Sequence, residues 1–184
     1  MLKVLVPLAQ GCEELEAVTV IDLLYRARIE VIAAGLEEGP VVASHGTTLM
    51  PNMTLDEALR HEFDMIVLPG GMPGTDYLAG DERVIAQLKK MAGEGKFVCA
   101  ICAAPRILAQ IGLLHGKRAT GYPGFLDQKD WMDITCTGTA VERDGNIITS
   151  RGAGTAMDFA LTLIEALLNP EARRNVEQAL VRGH

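Results

Sequence analysis

The sequence predicts an α/β fold in which helices cover both faces of a mostly parallel central sheet. Short apolar segments alternate along the chain with longer segments of helical periodicity, which is typical of strand–helix–strand units. The apolar segments are hydrophobic at nearly every position, as expected for strands that are buried on both faces. Because the chain has 184 residues, of which 48% are hydrophobic and 22% charged, we expect a single domain over residues 1–184.

The first half of the chain predicts four strands that alternate with helices. The strands are expected at residues 2–8, 29–34, 65–68 and 97–101, and a small hairpin at residues 41–43 and 47–50. Helices are expected at residues 13–28, after a capping box at residues 54–57, at residues 81–92, and from Ala103 onwards.

The second half of the chain predicts two more strands and two helices. The strands are expected at residues 135–143 and 146–149, joined by a hairpin turn at Asp144-Gly145. A strongly apolar helix is expected at residues 155–168. Asn169 as N-cap and Pro170 at the first helical position then predict a last helix that ends near Leu180.

Three loops are candidates for the functional site. Ligands of open α/β sheets bind at the carboxyl ends of the strands, so the loops that follow the parallel strands are where chemistry is expected. These loops begin at residues 9–13, 69–71 and 102–104. No G-x-G-x-x-G pattern follows the first strand, which argues against dinucleotide binding.

Cys102 is the leading candidate for a reactive group. A buried strand is expected to end at this residue, small residues follow it, and Pro105 suits the first turn of a helix. A thiol at the positive end of a helix is expected to have a lowered pKa and a larger thiolate fraction. The alternative is a small buried hydrophobic residue, the common fate of a free cysteine.

Cys99 and Cys102 form a C-x-x-C pattern, but we do not interpret it as a redox pair. Cys99 is expected within the strand, where residues three apart point to opposite faces and lie about 10 Å apart along the chain. Cys99 is therefore predicted to be a buried core thiol. A zinc site would need further ligands at close spacing, and since the sequence offers none, no metal is expected.

Glu16 and the backbone N–H groups of nearby loops are the candidates for partners of the thiol. Glu16 follows the first strand, and a carboxyl group beside a thiolate in a dry crevice would have a raised pKa and could share a proton with it. The residue pattern alone favours a solvated helix carboxylate. Gly70 and Gly71 allow a close approach of the backbone to a ligand, so their N–H groups and that of Ala103 could form an oxyanion hole. The alternative is an ordinary glycine turn.

Charge and hydropathy limit the expected partners. The net charge of −7 and the scattered Lys and Arg residues argue against specific nucleic-acid binding. Neither a transmembrane-length apolar run nor a signal-peptide cleavage region is found, so we expect no membrane association and a cytoplasmic location. Residues 17–25 are apolar nearly all round, which indicates either a homodimer or cover by the C-terminal helix; the pattern does not distinguish the two.

Four segments together resemble the ThiJ/PfpI superfamily, in the branch of the human parkinsonism-associated protein deglycase and its bacterial relatives. They are Gly-Cys-Glu-Glu-Leu-Glu-Ala from residue 11, Val-Leu-Pro-Gly-Gly from 67, Ala-Ile-Cys-Ala-Ala-Pro from 100 and Thr-Ser-Arg-Gly-Ala-Gly-Thr from 149. The resemblance implies a flavodoxin-like three-layer sandwich and a homodimer. It also implies that Cys102 is the nucleophile, that protonated Glu16 donates to it, and that Gly71 and Ala103 are backbone donors.

The activity that the resemblance implies is that of a cofactor-free cysteine enzyme acting on α-oxoaldehydes or their adducts. Such enzymes include methylglyoxal glyoxalases and protein deglycases, which protect against carbonyl and oxidative stress. Two alternatives are a non-enzymatic redox-sensing or chaperone protein with an oxidisable cysteine, and a thiazole monophosphate (thiamine) biosynthesis protein. Peptidase activity is not expected, because the protease-like branch has a histidine directly after the cysteine and here that residue is Ala103.

Two positions differ from the pattern of the relatives. Tyr122 stands where several members place a histidine near the cysteine, so proton transfer would depend mainly on Glu16 and turnover would be low. A tyrosine hydroxyl can donate a hydrogen bond but is a poor base near neutral pH. His45 stands where relatives have an arginine near the dimer interface, which gives it a possible accessory role. We favour the simpler interpretation that His45 is only a residue of the hairpin turn.

Overall fold

The computed structural model describes residues 1–127 and 130–182. Its central sheet has the strand order β10-β11-β7-β6-β1-β2-β5, and two small sheets pair β3 with β4 and β8 with β9. The strands are β1 (Lys3–Leu8), β2 (Glu30–Gly35), β3 (Val41–Val42), β4 (Thr48–Leu49), β5 (Met53–Thr54), β6 (Met65–Leu68), β7 (Phe97–Ile101), β8 (Arg118–Ala119), β9 (Thr135–Cys136), β10 (Val141–Asp144) and β11 (Ile147–Ser150).

The helices follow the strands along the chain, as the alternating pattern predicts. They are α1 (Glu14–Arg26), α2 (Leu55–Ala58), α3 (Gly74–Gly80), α4 (Glu82–Gly93), α5 (Pro105–Gln110), α6 (Ala156–Leu167) and α7 (Pro170–Ala179), with a 3₁₀ turn at Ala153–Thr155. The expected caps are present at Thr54, Asp81 and Asn169, each of which accepts a hydrogen bond from a backbone N–H in the first turn of its helix.

The sheet is parallel except at one edge, where β10 runs antiparallel to β11. The five longer parallel strands lie in the order β2-β1-β6-β7-β11, which is the flavodoxin-like order. One apolar core lies between the sheet and helices α1 and α6, and a second lies between the sheet and helices α2, α4 and α5. The predicted three-layer α/β fold is therefore confirmed.

Some elements differ from the sequence-based expectation. The strand expected at residues 135–143 is interrupted at Gly138, whose φ of 67° lies outside the strand region, so that only β9 and β10 form. Helix α3 was not expected, because Pro73 precedes it and no side chain caps it. Strand β5 has two residues, too few to show a period in the sequence.

Helix α1 packs against α6, which covers one side of its apolar surface. Leu15, Val18 and Tyr25 nevertheless remain exposed, by 51%, 46% and 76%. We call these three residues the α1 strip. Within the described part of the chain, none of the helices has the length and apolar character needed to cross a bilayer.

Candidate active site

Cys102 lies in a tight turn between β7 and α5, as the sequence predicts. Its φ is 65°, a left-handed conformation that costs a non-glycine residue roughly 1–2 kcal/mol. Two backbone hydrogen bonds hold it there: its N–H donates to the carbonyl oxygen of Ser150 over 3.0 Å, and its carbonyl oxygen accepts from the N–H of Tyr122 over 2.7 Å. Such strain, held by the surrounding backbone, is typical of functional sites.

Backbone donors surround the sulfur of Cys102. The N–H groups of Gly71, from the loop after β6, and of Ala103, the next residue in the turn, both interact with it and favour its thiolate. The side chain is only partly buried, so small molecules can reach it. Gly71 and Ala103 are thus brought to the cysteine, as expected, although their contact here is with the sulfur itself.

Glu16 is the buried carboxyl group of the site. It lies in the first turn of α1 with no exposed surface, in contrast to the solvated position that its pattern favours. Glu13, the N-cap, accepts a hydrogen bond from the N–H of Glu16 over 2.8 Å and so fixes the start of the helix. Glu16 Oε2 accepts from the N–H of Gly70 over 2.8 Å, whereas Oε1 is buried with no hydrogen-bonding nitrogen or oxygen among the described residues.

Gly70 determines how closely these groups approach one another. A Cβ atom on Gly70 would lie 2.7 Å from Cys102 Cβ and 2.9 Å from Glu16 Oε2, so only glycine fits between the two side chains. The resemblance implied backbone roles for Gly71 and Ala103 and did not identify Gly70 as the donor to Glu16. The Gly-Gly pair after β6 was the available signal, but it does not say which N–H meets which group.

Glu16 and Cys102 form a coupled pair. Burial raises the pKa of Glu16 to about 7, although the Gly70 N–H and the contact with Cys102 oppose the shift. Burial also raises the pKa of the Cys102 thiol to about 12, and the neighbouring Glu16 carboxylate adds to this shift. The lowered pKa expected from a helix N-terminus is therefore wrong, since burial and like charge outweigh it. Above about pH 7 the two groups hold one proton between them.

This coupling predicts an unusual pH dependence for alkylation of Cys102. The rate with iodoacetamide is expected to rise with a midpoint near pH 7, where the pair loses its first proton. In Glu16→Gln the side chain has no proton to lose, so the midpoint should move above the ordinary thiol value of about 8.5. Intact-mass kinetics on both proteins measure this, and equal midpoints would contradict the coupling.

Tyr122 lies beside the cysteine turn. It is 49% exposed, and its ring contacts that of Phe125 edge-on at a centroid distance of 6.2 Å. A Cβ on Gly152 would lie 3.3 Å from the Tyr122 ring, so this ring packs against the loop after β11. The position is consistent with an accessory role at the mouth of the site.

His45 lies on the turn of the β3–β4 hairpin with an exposed side chain. Its Nδ1 is 3.4 Å from Glu13 Oε1 and 3.2 Å from Glu14 Oε2, and its N–H donates to Glu14 over 3.0 Å. Its recorded partners are thus these acidic residues and the neighbouring Ser44, rather than Cys102. Glu13, Glu14 and His45 each have one atom that could bind a metal ion, and these three atoms lie within 4.8 Å of one another. However, both carboxylates already accept hydrogen bonds, Glu13 from the N–H of Glu16 and Glu14 from the N–H of His45.

The C-x-x-C pattern is not a redox pair. Cys99 is fully buried in β7, opposite Val67 and Ile148, and burial raises its pKa. The prediction of a core thiol is confirmed. Cys12 is also fully buried, and burial raises its pKa to about 11.

Comparison with known proteins shows the family of the chain. A family model described as the DJ-1/PfpI family matches residues 2–166. The chain is 41% identical over 179 residues to Protein DJ-1 homolog B of Arabidopsis thaliana, covering 96% of this chain and 40% of that protein. It spans less than half the length of both Arabidopsis relatives that it matches. It is also 34% identical over 158 residues to a protein of Pyrococcus abyssi named a deglycase, covering 83% of this chain and 92% of that one.

A solved structure also supports membership of this family. The oxidised DJ-1 of Toxoplasma gondii superposes with a TM-score of 0.93 at 37% identity and covers all of both chains. The resemblance seen in the four sequence segments is thereby confirmed. From the family model, the relatives and this structure together, we conclude that the chain belongs to the DJ-1/PfpI family.

Proposed function

We propose that the protein is a cofactor-free cysteine enzyme that acts on α-oxoaldehydes or their adducts, as a glyoxalase or deglycase, and protects the cytoplasm against carbonyl and oxidative stress. The observation that carries the proposal is the buried Glu16 in contact with Cys102, with two backbone N–H groups at the sulfur. Membership of the DJ-1/PfpI family and the archaeal relative named a deglycase support it.

The proposed first step is addition of Cys102 to the aldehyde. The pKa values of the pair place its single proton mainly on sulfur, so the reactive form is the minor tautomer with this proton on Glu16. In that tautomer Oε2 still accepts from the Gly70 N–H, and the protonated Oε1 can donate to the thiolate. The thiolate forms a C–S bond to the aldehyde carbon, and the Glu16 proton moves to the carbonyl oxygen. The product is a hemithioacetal beside an ionised Glu16.

The remaining steps need no external oxidant or reductant. For methylglyoxal, Glu16 takes the proton from the hemithioacetal carbon and returns it to the neighbouring carbon, while the hydroxyl proton moves from the first oxygen to the second. These two transfers convert the adduct into a thioester of lactate. Water then cleaves the C–S bond, releases lactate and restores the thiol. The N–H groups of Gly71 and Ala103 stabilise negative charge on sulfur or oxygen during these steps.

Turnover is expected to be slow. With Tyr122 in place of a histidine, the proton transfers depend mainly on Glu16, although the Tyr122 hydroxyl can donate to a bound oxygen. The reactivity of Cys102, which alkylation tests, is therefore separate from the rate of turnover, which lactate formation tests.

The test is methylglyoxal consumption and lactate formation by the wild type, Cys102→Ala and Glu16→Gln. Cys102→Ala should reduce the rate by about a thousandfold and Glu16→Gln by about a hundredfold, as removal of a nucleophile and of a general acid–base group predicts. Cys136→Ser is the matched control, because Cys136 lies on β9, in a separate small sheet. A Cys102→Ala variant that retains turnover would exclude the proposal.

A second candidate is a redox-sensing or chaperone protein without aldehyde turnover. The donors that face the sulfur favour it, because the N–H groups of Gly71 and Ala103 and a protonated Glu16 would also bind the oxygens of a sulfinate. Two molecules of peroxide convert the thiolate to sulfinate and release two of water. Selective gain of two oxygens at Cys102 without lactate formation would favour the sensor; no oxidation would exclude it.

We also propose that the protein is a homodimer. The α1 strip and the 44% exposed Met157 of α6 place large apolar side chains on the outer surface of neighbouring helices. A contiguous apolar surface of this kind is typical of an interface with another protein.

A further inference from the structure

A cavity separate from the candidate active site lies at the carboxyl ends of β1 and β2. Its volume is about 410 Å³, and none of Cys102, Glu16, Gly71 and Ala103 lines it. This volume falls within the range of small-molecule sites. The cavity lies at the same sheet edge as the cysteine, where ligands of parallel sheets bind.

The floor of this cavity is apolar. Leu8 ends β1, Leu36 follows β2, and Val41 begins the hairpin; all three line the cavity together with the ring of Tyr77 from α3. Leu8 and Val41 are almost fully buried, so the floor is set by the core of the protein. Tyr77 is 53% exposed and presents an aromatic ring at the wall.

The charged side chains that line the cavity are all acidic. They are Glu37, Asp76 and Asp81, and the lining contains no lysine, arginine or histidine. Arg106 pairs with Asp76, and Arg83 pairs with Asp81, but neither arginine belongs to the lining. Because Arg83 is also shared with Asp56 and Glu37, the carboxylates outnumber the guanidinium groups and the cavity retains negative potential.

From this combination we infer that the cavity binds a small organic cation with an apolar body, such as an arylalkyl amine. The apolar part would pack on this floor and displace water mainly from Leu36, which is only partly buried. The ammonium group would interact with the lining carboxylates and with the face of the Tyr77 ring. An anion of the same shape would meet like charge and be rejected.

Three ligands of matched shape test the charge preference. They are phenethylamine, phenethyl alcohol and hydrocinnamate, which carry a positive, a neutral and a negative group on the same phenyl body. Backbone-amide NMR titration of the wild type should give saturable shifts at the lining residues with phenethylamine, with a dissociation constant of roughly 1 mM for so small a ligand. Phenethyl alcohol should bind at least about threefold more weakly, and hydrocinnamate should give no saturable shift.

Two glycines provide a matched pair of variants that test the position. Gly80 ends α3 and lines the cavity, whereas Gly93 ends α4 and does not; a Cβ on either would meet nothing within 4 Å. A Cβ atom therefore fits at both positions without a clash. Gly80→Leu fills the cavity and should weaken phenethylamine binding about tenfold, while Gly93→Leu should leave it unchanged.

The outcomes separate this proposal from the proposed enzyme activity. Alkylation of Cys102 with iodoacetamide abolishes the activity but should leave phenethylamine binding unchanged. Lack of saturable binding, equal binding of hydrocinnamate, or an equal effect of Gly80→Leu and Gly93→Leu would overturn the proposal. Loss of binding after alkylation would assign the ligand to the cysteine site and overturn it as well.

Discussion

Gly71→Ala is expected to destabilise the fold by about 3 kcal/mol or more, the cost of a backbone clash added to that of strain. A Cβ on this residue would lie 2.4 Å from the backbone nitrogen of Glu13 and 2.7 Å from the carbonyl oxygen of Gly11. These atoms belong to the loop that leads from β1 into α1, so they cannot move without displacing the first turn of the helix, and with it Glu16. The φ of 88° adds strain for any residue with a side chain.

Gly46→Ala is the control that separates the clash from the strain. Gly46 has a nearly equal φ of 90° on the exposed hairpin, but its Cβ would meet nothing within 4 Å. We expect a cost of about 1 kcal/mol there, from the conformation alone. Urea denaturation of the wild type and both variants gives the comparison. Equal losses in the two variants would show that the contact with Glu13 has no energetic importance.

Glu16→Gln is expected to stabilise the fold above pH 7, although it impairs the proposed chemistry. Burial raises the pKa of Glu16 from its usual 4.5 to about 7, so the folded state holds this proton more tightly than the unfolded state. For an acid with a raised pKa, the associated stability is present below pH 4.5 and is lost as the pH rises to about 7. Glutamine carries no charge to bury, so the stability of the variant does not fall in this pH range.

The gain should reach about 3 kcal/mol above pH 7 and vanish below about pH 4.5, as the size of the pKa shift implies. The free energy of unfolding measured at several pH values for both proteins gives this difference. Glu82→Gln is the control, because Glu82 also lies in the first turn of a helix but is exposed. If the Glu16→Gln difference were independent of pH, the raised pKa would be wrong.

The sequence was most informative where local chemistry determines structure. Continuous apolar runs located the parallel strands, and Thr54, Asp81 and Asn169 located three helix starts, because a cap is a property of a few adjacent residues. Helix α3 lacks such a signal: Pro73 precedes it with no side-chain cap, and glycines stand at both its ends. Packing of its Leu78 into the core, which no local pattern reveals, accompanies its formation.

The candidate site was predictable only in part. Cys102 stands out from its strand-end position and its small neighbours, and the structure adds the positive φ that these neighbours permit. The burial of Glu16 could not be predicted from the sequence around it, because it depends on how α1 packs against the loop after β6. The direction in which the pKa of Cys102 shifts likewise depends on tertiary structure, because burial of the thiol outweighs any effect of the short helix that follows.

The two edges of the central sheet constrain how copies of this protein can associate. One edge is β5, with only two residues, and the other is β10, whose Glu142 and Asp144 are bound by Arg118. Short or charged edges of this kind are poor templates for a strand from another molecule. Fibril-like growth by sheet extension is therefore disfavoured, and a second copy would attach through the helical layers, as the α1 strip suggests.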